Sequence, residues 1–147
     1  MDIQKQSEFL SRKWRKYLQN ESKIVSATAS SIHKIETELN ICIPPEFILL
    51  SQLSLNYRAW FAGIGEDYDN SKHILVINRL GKIGDDESLP IPEGYVVINQ
   101  GFDDDYDCIS TSVDDASVYY FNADKYYGGS IKKIAEDFVD YLRVIAR

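Results

Sequence analysis

The middle of the chain is a series of short apolar segments that are typical of β-strands. Five runs rich in β-branched and aromatic residues occur between residues 57 and 122, namely AWFAGI, HILVINRL, YVVIN, DCISTS and SVYYF. Clusters of Gly, Pro, Asp and Asn separate them, as turns separate strands. Because the connections are too short for intervening helices, consecutive strands should run antiparallel. The pattern predicts a single antiparallel sheet of about five to six strands.

Helical patterns flank this region on both sides. Ile35 and Leu39 share one helix face after a Ser/Thr/Ala stretch that supplies N-caps, and Asn40 suits a left-handed stop. Pro45 is suited to the first turn of a further helix. We predict helices over three ranges: 30–40, 45–54 and 130–145. Helices before and after a run of strands indicate an α+β fold.

One hydrophobic core is expected to join these elements. A chain of 147 residues has a common single-domain size and can bury a sufficient core without disulfides. The residues predicted to share the core are Ile35, Leu39, Leu50, Val97, Phe138 and Leu142. Residues 7–20 form a separate amphipathic pattern, with a basic surface opposite an apolar stripe formed by Leu10, Trp14, Tyr17 and Leu18.

The charge distribution restricts the possible partners. The net charge is −7, but residues 35–124 carry four Lys and Arg residues against seventeen Asp and Glu residues, a net charge of −13. An acidic surface repels phosphate backbones and attracts basic proteins. We therefore predict that this region does not bind nucleic acid directly.

No segment indicates export or membrane insertion. The N-terminus MDIQKQSEFLSRKW contains no apolar run of the kind found in secretory signals. Runs such as FILL and YVVI are far shorter than the roughly 20 residues that span a bilayer. We expect a cytoplasmic protein.

No constellation of residues indicates catalysis. The nucleophile-elbow, zinc-protease, P-loop and dinucleotide-binding motifs do not occur. His33 and His73 have no motif neighbours, so both are interpreted as ordinary histidines. Cys42 and Cys108 lie far apart without a CxxC pattern and are interpreted as reduced thiols. We predict a protein that is not an enzyme and needs neither a cofactor nor a metal.

A cluster of carboxylates occurs in the segment FDDDYDCISTSVDD. Its members are Asp103, Asp104, Asp105, Asp107, Asp114 and Asp115. An EF-hand loop would need Gly where Cys108 stands and helices on both flanks, so we predict no calcium site. The segment is either a solvated acidic hairpin or a surface for a basic partner that relieves the repulsion among the carboxylates. In both cases we expect the hairpin to display the two groups of aspartates near one end.

The order of the segments resembles the SUKH superfamily, a domain shared by bacterial immunity proteins and a fungal cell-wall regulator. The segment SSIHKIETELNICIPPEFILLSQLSLN is similar to the opening helices of that family, and its matching positions are Ile35, Glu36, Leu39, Ile43, Pro44, Phe47 and Leu50. The segments YVVINQGFDDDYDCIST and SVYYFN resemble its strands. The closing segment resembles its last helix through Ile134, Ala135, Phe138 and Leu142. Two departures occur: Tyr57 follows Asn56 where the family commonly has Gly, and aspartates replace a Gly-Asp before the second strand of the hairpin.

The resemblance implies a domain over residues 28–147, preceded by a basic helix and connector over residues 1–27, in one globular unit. It implies an immunity protein that binds a cognate toxin, such as a basic nuclease or deaminase domain, without chemistry of its own. The alternative is a regulatory scaffold domain of the same fold. The partner-binding residues expected on this basis are Asp103, Asp104, Asp105, Asp107, Asp114, Asp115, Tyr106, Tyr57 and Trp60. Tyr68, Tyr126 and Tyr127 are further aromatic candidates for contacts with the partner.

Overall fold

The computed structural model describes residues 29–44, 47–48, 62, 64, 73–100 and 105–145. These residues form an α+β fold in which helices pack with a single antiparallel sheet. The helices are α1 (Ala29–Leu39), α2 (Ile74–Ile83) and α3 (Phe138–Ile145), and the strands are β1 (Tyr95–Gln100), β2 (Asp105–Ser110), β3 (Val118–Asn122) and β4 (Ile131–Ala135). The predicted helix within residues 7–20 lies outside the described residues. Within the predicted helix 45–54, Phe47 and Ile48 are helical.

The strands form a meander in which each strand pairs with its neighbours along the chain, in the order β1-β2-β3-β4. The register places Val97 opposite Cys108 and Cys108 opposite Tyr119. The described part of the chain thus contains a four-stranded sheet, in which β1, β2 and β3 correspond to predicted strand segments and β4 does not; the predicted count of five to six strands is not confirmed. Ala62, one of the two described residues in the predicted segment AWFAGI, bonds to the sheet through its N–H and the carbonyl oxygen of Ile98 at 2.8 Å.

The prediction of a strand at HILVINRL is wrong, because these residues form α2. His73 starts the helix by accepting a hydrogen bond at Nδ1 from the Leu75 N–H at 3.2 Å. The buried Asn78 makes two hydrogen bonds with Val97: its Oδ1 accepts from the Val97 N–H at 2.7 Å, and its Nδ2 donates to the Val97 carbonyl oxygen at 3.0 Å. The β-branched residues of this segment favour a strand locally. The segment is nevertheless helical, because the Asn78–Val97 contact and the burial of Ile74 and Ile77 outweigh that propensity.

The predicted helix over 130–145 is wrong in its first half. Ile131–Ala135 is strand β4, which pairs with β3 through Ile131 opposite Phe121. The helix starts only after Asp137, whose Oδ1 accepts the Asp140 N–H at 2.7 Å. A spacing of three between Ile131 and Ile134 suits a helix, but the segment pairs with β3 instead, where Ile131 lies opposite the buried Phe121.

The core lies between the sheet and the helices. Of the residues predicted to be buried, Ile35, Leu39, Val97 and Phe138 are confirmed, while Leu50 and the side chain of Leu142 are outside the described parts. Phe138 contacts Phe47 edge-on at 5.7 Å between ring centroids and Tyr141 at 5.6 Å. These ring contacts hold α3 against Phe47 and pack Phe138 beside Tyr141, the tyrosine that bonds to the acidic cluster.

Candidate protein interface at the acidic end of the sheet

The structure separates the two groups of aspartates instead of bringing them together. Asp105 begins β2 opposite Asn122, whereas Ile109 lies opposite Val118 at the other end of the same pair of strands. Asp114 and Asp115 belong to the connection beyond that second end. The prediction that the hairpin displays both groups near one end is therefore wrong for the described aspartates, because Asp105 starts the six-residue strand β2 and Asp115 lies beyond its other end.

Asp107 is turned towards the helices. One of its carboxylate oxygens, Oδ2, accepts a hydrogen bond from the Tyr141 hydroxyl at 2.5 Å, and Asn99 Nδ2 lies at 3.4 Å from the same oxygen. Asn99 Nδ2 also donates to the Tyr141 oxygen at 2.8 Å. Burial raises the pKa of Asp107, an effect that the hydrogen bonds from Tyr141 and Asn99 oppose. Its carboxylate is thus part of the internal hydrogen bonding of the fold.

The neighbouring Asp105 and Tyr106 take different positions at the start of β2. The Tyr120 hydroxyl donates to Asp105 Oδ1 at 2.5 Å, and this hydrogen bond is the main reason that the pKa of Tyr120 is raised. Tyr106 is half-buried against the core. Asp105 therefore adds negative charge at this end of the sheet, with one of its oxygens held in place by Tyr120.

Asp115 at the opposite end makes a similar contact at a partly exposed site. Its Oδ2 accepts from the Tyr119 hydroxyl at 2.6 Å and its Oδ1 from the Ser117 N–H at 3.0 Å. These hydrogen bonds lower the pKa of Asp115. The adjacent Asp114 is exposed. The remaining predicted contact residues, Asp103, Asp104, Tyr57 and Trp60, lie outside the described residues.

A second acidic region, which the sequence analysis did not single out, lies at the same end of the sheet as Asp105. Residues 84–88 pair with residues 123–129 through an antiparallel bridge between Ser88 and Asp124. Since β3 ends at Asn122 opposite Asp105, this pairing brings Asp85, Asp86, Glu87 and Asp124 to the Asp105 end. The run Asp85-Asp86-Glu87 is visible in the sequence, but its place beside residues 123–129 depends on a long-range pairing without a local signal.

A shallow cleft links the two acidic regions. Its volume is about 200 Å³, and its lining includes Leu80, Asp85, Ser88, Gln100 and Tyr106. Gln100 lies opposite Tyr106 in the β1–β2 pair, so the cleft joins the end of α2 to the end of the hairpin. A partner at this end would meet Asp85 in a cleft that polar and apolar side chains line together.

Three further features of the described residues concern metal binding, titratable side chains and membrane spans. Among them, no three His, Cys, Asp or Glu side chains come together as metal ligands would. Burial is the main cause of a lowered pKa at His73, and its imidazole caps α2. Both cysteines are free: Cys42 is exposed, and burial raises the pKa of the Cys108 thiol to about 12. None of the helices in the described ranges has the length and apolarity that crossing a bilayer requires.

Comparison with known families adds one result. The SUKH_6 family model, described as SMI1-KNR4 cell-wall, matches residues 29–142. That range is more than half of the 147-residue chain and includes α1 and all four strands. No curated protein matches the chain.

Proposed function

This chain belongs to the SUKH superfamily, and from that premise we propose that it is an immunity protein that binds and neutralises a cognate bacterial toxin. The observation that carries the proposal is the concentration of carboxylates at one end of the sheet. Residues 35–124 have a net charge of −13, and the structure places Asp85, Asp86, Glu87 and Asp124 beside the start of β2. Such a surface is complementary to a basic protein.

The partner in this proposal is a nuclease- or deaminase-type toxin domain with a basic nucleic-acid cleft. Opposite charges on the two surfaces would steer their encounter, raising association rates to about 10⁸ M⁻¹s⁻¹ or more at low salt. Binding in the cleft would also exclude the nucleic-acid substrate. Inhibition would then need no chemistry from the immunity protein, no cofactor and no metal, and it would take place in the cytoplasm, where the toxin acts.

The surface we propose is narrower than the set of residues expected from the sequence. Its proposed charged contacts are Asp105 at the acidic end and Asp103 and Asp104, which precede it in the sequence, and its proposed aromatic contacts are Tyr106, Tyr57 and Trp60. Asp107 is less suited, because its carboxylate already accepts the Tyr141 hydroxyl. Asp114 and Asp115 would contact the same partner only if its surface extended along the whole hairpin.

A second candidate function is a regulatory scaffold domain that binds a host protein instead of a toxin. The family description, SMI1-KNR4 cell-wall, favours this alternative. The two functions predict different neighbouring genes: a toxin gene immediately upstream favours immunity, and a signalling or cell-wall gene favours the scaffold.

Co-expression tests the proposal directly. The protein of the upstream gene is expressed with and without this chain, and we expect growth to be restored and the two proteins to co-purify. The double variant Asp103→Asn with Asp104→Asn should associate more slowly than wild type at low salt and lose part of the salt dependence. Failure of the wild-type chain to bind and protect would reject the immunity function.

A matched control removes two carboxylates at the opposite end, through Glu93→Gln with Asp114→Asn. Both side chains are exposed. We expect the control to associate at the wild-type rate. If it slows association as much as the first variant does, the effect is one of total charge, and the acidic end has no special role.

A further inference from the structure

Two loops at the acidic end are bonded to each other along their length. The paired loops are residues 84–88 and 123–129. The Leu89 N–H donates to the Ala123 carbonyl at 2.6 Å, and the Lys125 N–H donates to the Glu87 carbonyl at 3.2 Å. The loops thus hold each other in one arrangement, which lowers the conformational entropy that a partner would have to remove.

The second loop presents two tyrosines to solvent. Tyr126 is 83% exposed and Tyr127 is 92% exposed. Asp124 Oδ1 accepts both of their backbone N–H groups, at 2.7 and 2.8 Å, which fixes the backbone that carries the rings. Gly128 closes the turn so tightly that a Cβ there would overlap the Asn122 carbonyl oxygen. The backbone of this loop is held by its own hydrogen bonds, while both tyrosine rings are exposed. This combination suits a contact surface, because rigid aromatic side chains bind at low entropic cost.

Aliphatic side chains extend this surface. Leu80 is 63% exposed and Ile83 is 75% exposed, both at the C-terminal end of α2. Gly84 follows Ile83 directly and begins the first of the paired loops. Of the five large hydrophobic side chains exposed in the described part of the chain, four lie in this region, and the fifth is Val113 at the opposite end. Concentration of exposed apolar side chains at one end of a protein indicates an interaction site.

The charge of the paired loops specifies the chemistry of the partner. They contain Asp85, Asp86, Glu87 and Asp124 against Lys125 alone, a net charge of −3. The Lys125 amino group donates to the Asp86 carbonyl at 3.3 Å, and the ion pair found among the described residues joins Lys133 and Glu136 elsewhere. The carboxylates of Asp86 and Glu87 are exposed. A second copy of the chain would bring the same negative charge to this surface and be repelled.

We propose that the paired loops bind arginine side chains on a basic protein partner, with guanidinium groups stacked on Tyr126 and Tyr127 and paired with the carboxylates of Asp86 and Glu87. Arginine is favoured over lysine, since its planar guanidinium both stacks on aromatic rings and forms two parallel hydrogen bonds with a carboxylate. The aliphatic surface at Leu80 and Ile83 would cover the stems of these side chains. The proposal rests on the proposed function in taking the toxin as the partner.

A peptide experiment tests the surface without the toxin. A short arginine-rich peptide and a lysine-rich peptide of equal length and charge are titrated into the full chain, and binding is followed by amide NMR shifts. We expect shifts at residues 84–88 and 123–129, with binding of the arginine peptide several-fold tighter. Tyr126→Ala with Tyr127→Ala should weaken arginine-peptide binding about tenfold. The control Val113→Ala, which also truncates an exposed side chain, should leave binding unchanged.

Shifts confined to other regions, equal affinity for the two peptides, or unchanged binding by the double tyrosine variant would each overturn the proposal. The toxin identified by co-expression provides a second arm. The double tyrosine variant should dissociate from it more than about tenfold faster than wild type, since buried aromatic anchors mainly affect dissociation. If the toxin binds both forms equally, the paired loops are not the interface and the immunity function stands. If no toxin binds but the peptide results hold, the surface stands and the immunity function fails.

Discussion

Two aspartates at different places in the β2–β3 hairpin make nearly the same contact with opposite electrostatic consequences. Asp107 accepts the Tyr141 hydroxyl at 2.5 Å, and Asp115 accepts the Tyr119 hydroxyl at 2.6 Å. The pKa of Asp107 is raised because burial dominates, whereas the pKa of Asp115 is lowered because hydrogen bonds dominate. The comparison shows that the surroundings of an aspartate–tyrosine pair, more than its geometry, decide the direction in which the pKa of the carboxyl group is shifted.

The largest expected difference between the Asp107 and Asp115 regions is the loss of unfolding free energy when a nearby apolar side chain is truncated. Phe138 is 4% exposed and supports Tyr141, whereas Val113, beside Asp115, is 90% exposed. We expect Phe138→Ala to lower the free energy of unfolding by about 3–5 kcal/mol through the cavity it leaves. Val113→Ala should change it by no more than about 0.5 kcal/mol. Urea denaturation measures both values, and an unchanged midpoint for Phe138→Ala would refute the core assignment.

Removing the hydroxyl groups of Tyr141 and Tyr119 tests the two aspartate–tyrosine hydrogen bonds while the aromatic rings are kept. Tyr141→Phe leaves the half-buried Asp107 carboxylate without its main donor, so we expect a loss of about 1–3 kcal/mol. In Tyr119→Phe, water replaces the lost hydrogen bond to the partly exposed Asp115, so the loss of unfolding free energy should stay within about 0.5 kcal/mol. The ring contact of Tyr119 with Tyr95, at 5.2 Å between centroids, is retained in that variant. Equal losses in the two variants would mean that burial does not distinguish the pairs.

The smallest effect concerns the pH dependence of stability, which should have opposite signs at the two sites. The folded pKa of Asp107 is raised, so its contribution is fully present below its unfolded pKa of about 4 and is lost as the pH rises through the folded value. The folded pKa of Asp115 is lowered, so its contribution is present above about pH 4 and is lost as the pH falls through the folded value.

Unfolding free energies measured from about pH 3 to about pH 7 test these signs. Relative to wild type, Asp107→Asn should gain stability as the pH rises. Asp115→Asn should lose stability over the same range. Parallel slopes for the two variants would contradict the assigned pKa directions.

Local signals were sufficient for much of the fold. Helix α1 ends at Leu39 and is followed by Asn40 with a φ of 53°, the left-handed stop that was predicted, and β1 to β3 lie at the predicted β-branched and aromatic runs between turn residues. The predictions were wrong where a contact between residues far apart in the sequence determines the local structure. Asn78 reaches Val97, 19 residues away, and stabilises a helix in a segment of β-branched residues. Ile131 pairs with Phe121 instead of continuing the helical spacing of α3.

The candidate interface follows the same pattern. The run of aspartates identifies an acidic protein surface, but the sequence does not show which carboxylates face inwards. Asp107 is held by Tyr141, 34 residues away, and no property of the run itself distinguishes it from Asp105. Similarly, Asp85 and Asp124 become neighbours only through the Ser88–Asp124 bridge. Long-range pairing and burial, which local composition does not encode, determined these outcomes.

The contact between Asn78 and Val97 also limits how this protein can associate with others. Its amide occupies both backbone groups of Val97, and Ala62 occupies the Ile98 carbonyl, so β1 offers little to a strand from another chain. At the opposite margin of the sheet, β4 carries the exposed Lys132 and Lys133, whose charges disfavour strand addition. Partners are therefore directed away from β-augmentation and towards side-chain contacts, and the same features protect the folded sheet against edge-to-edge aggregation.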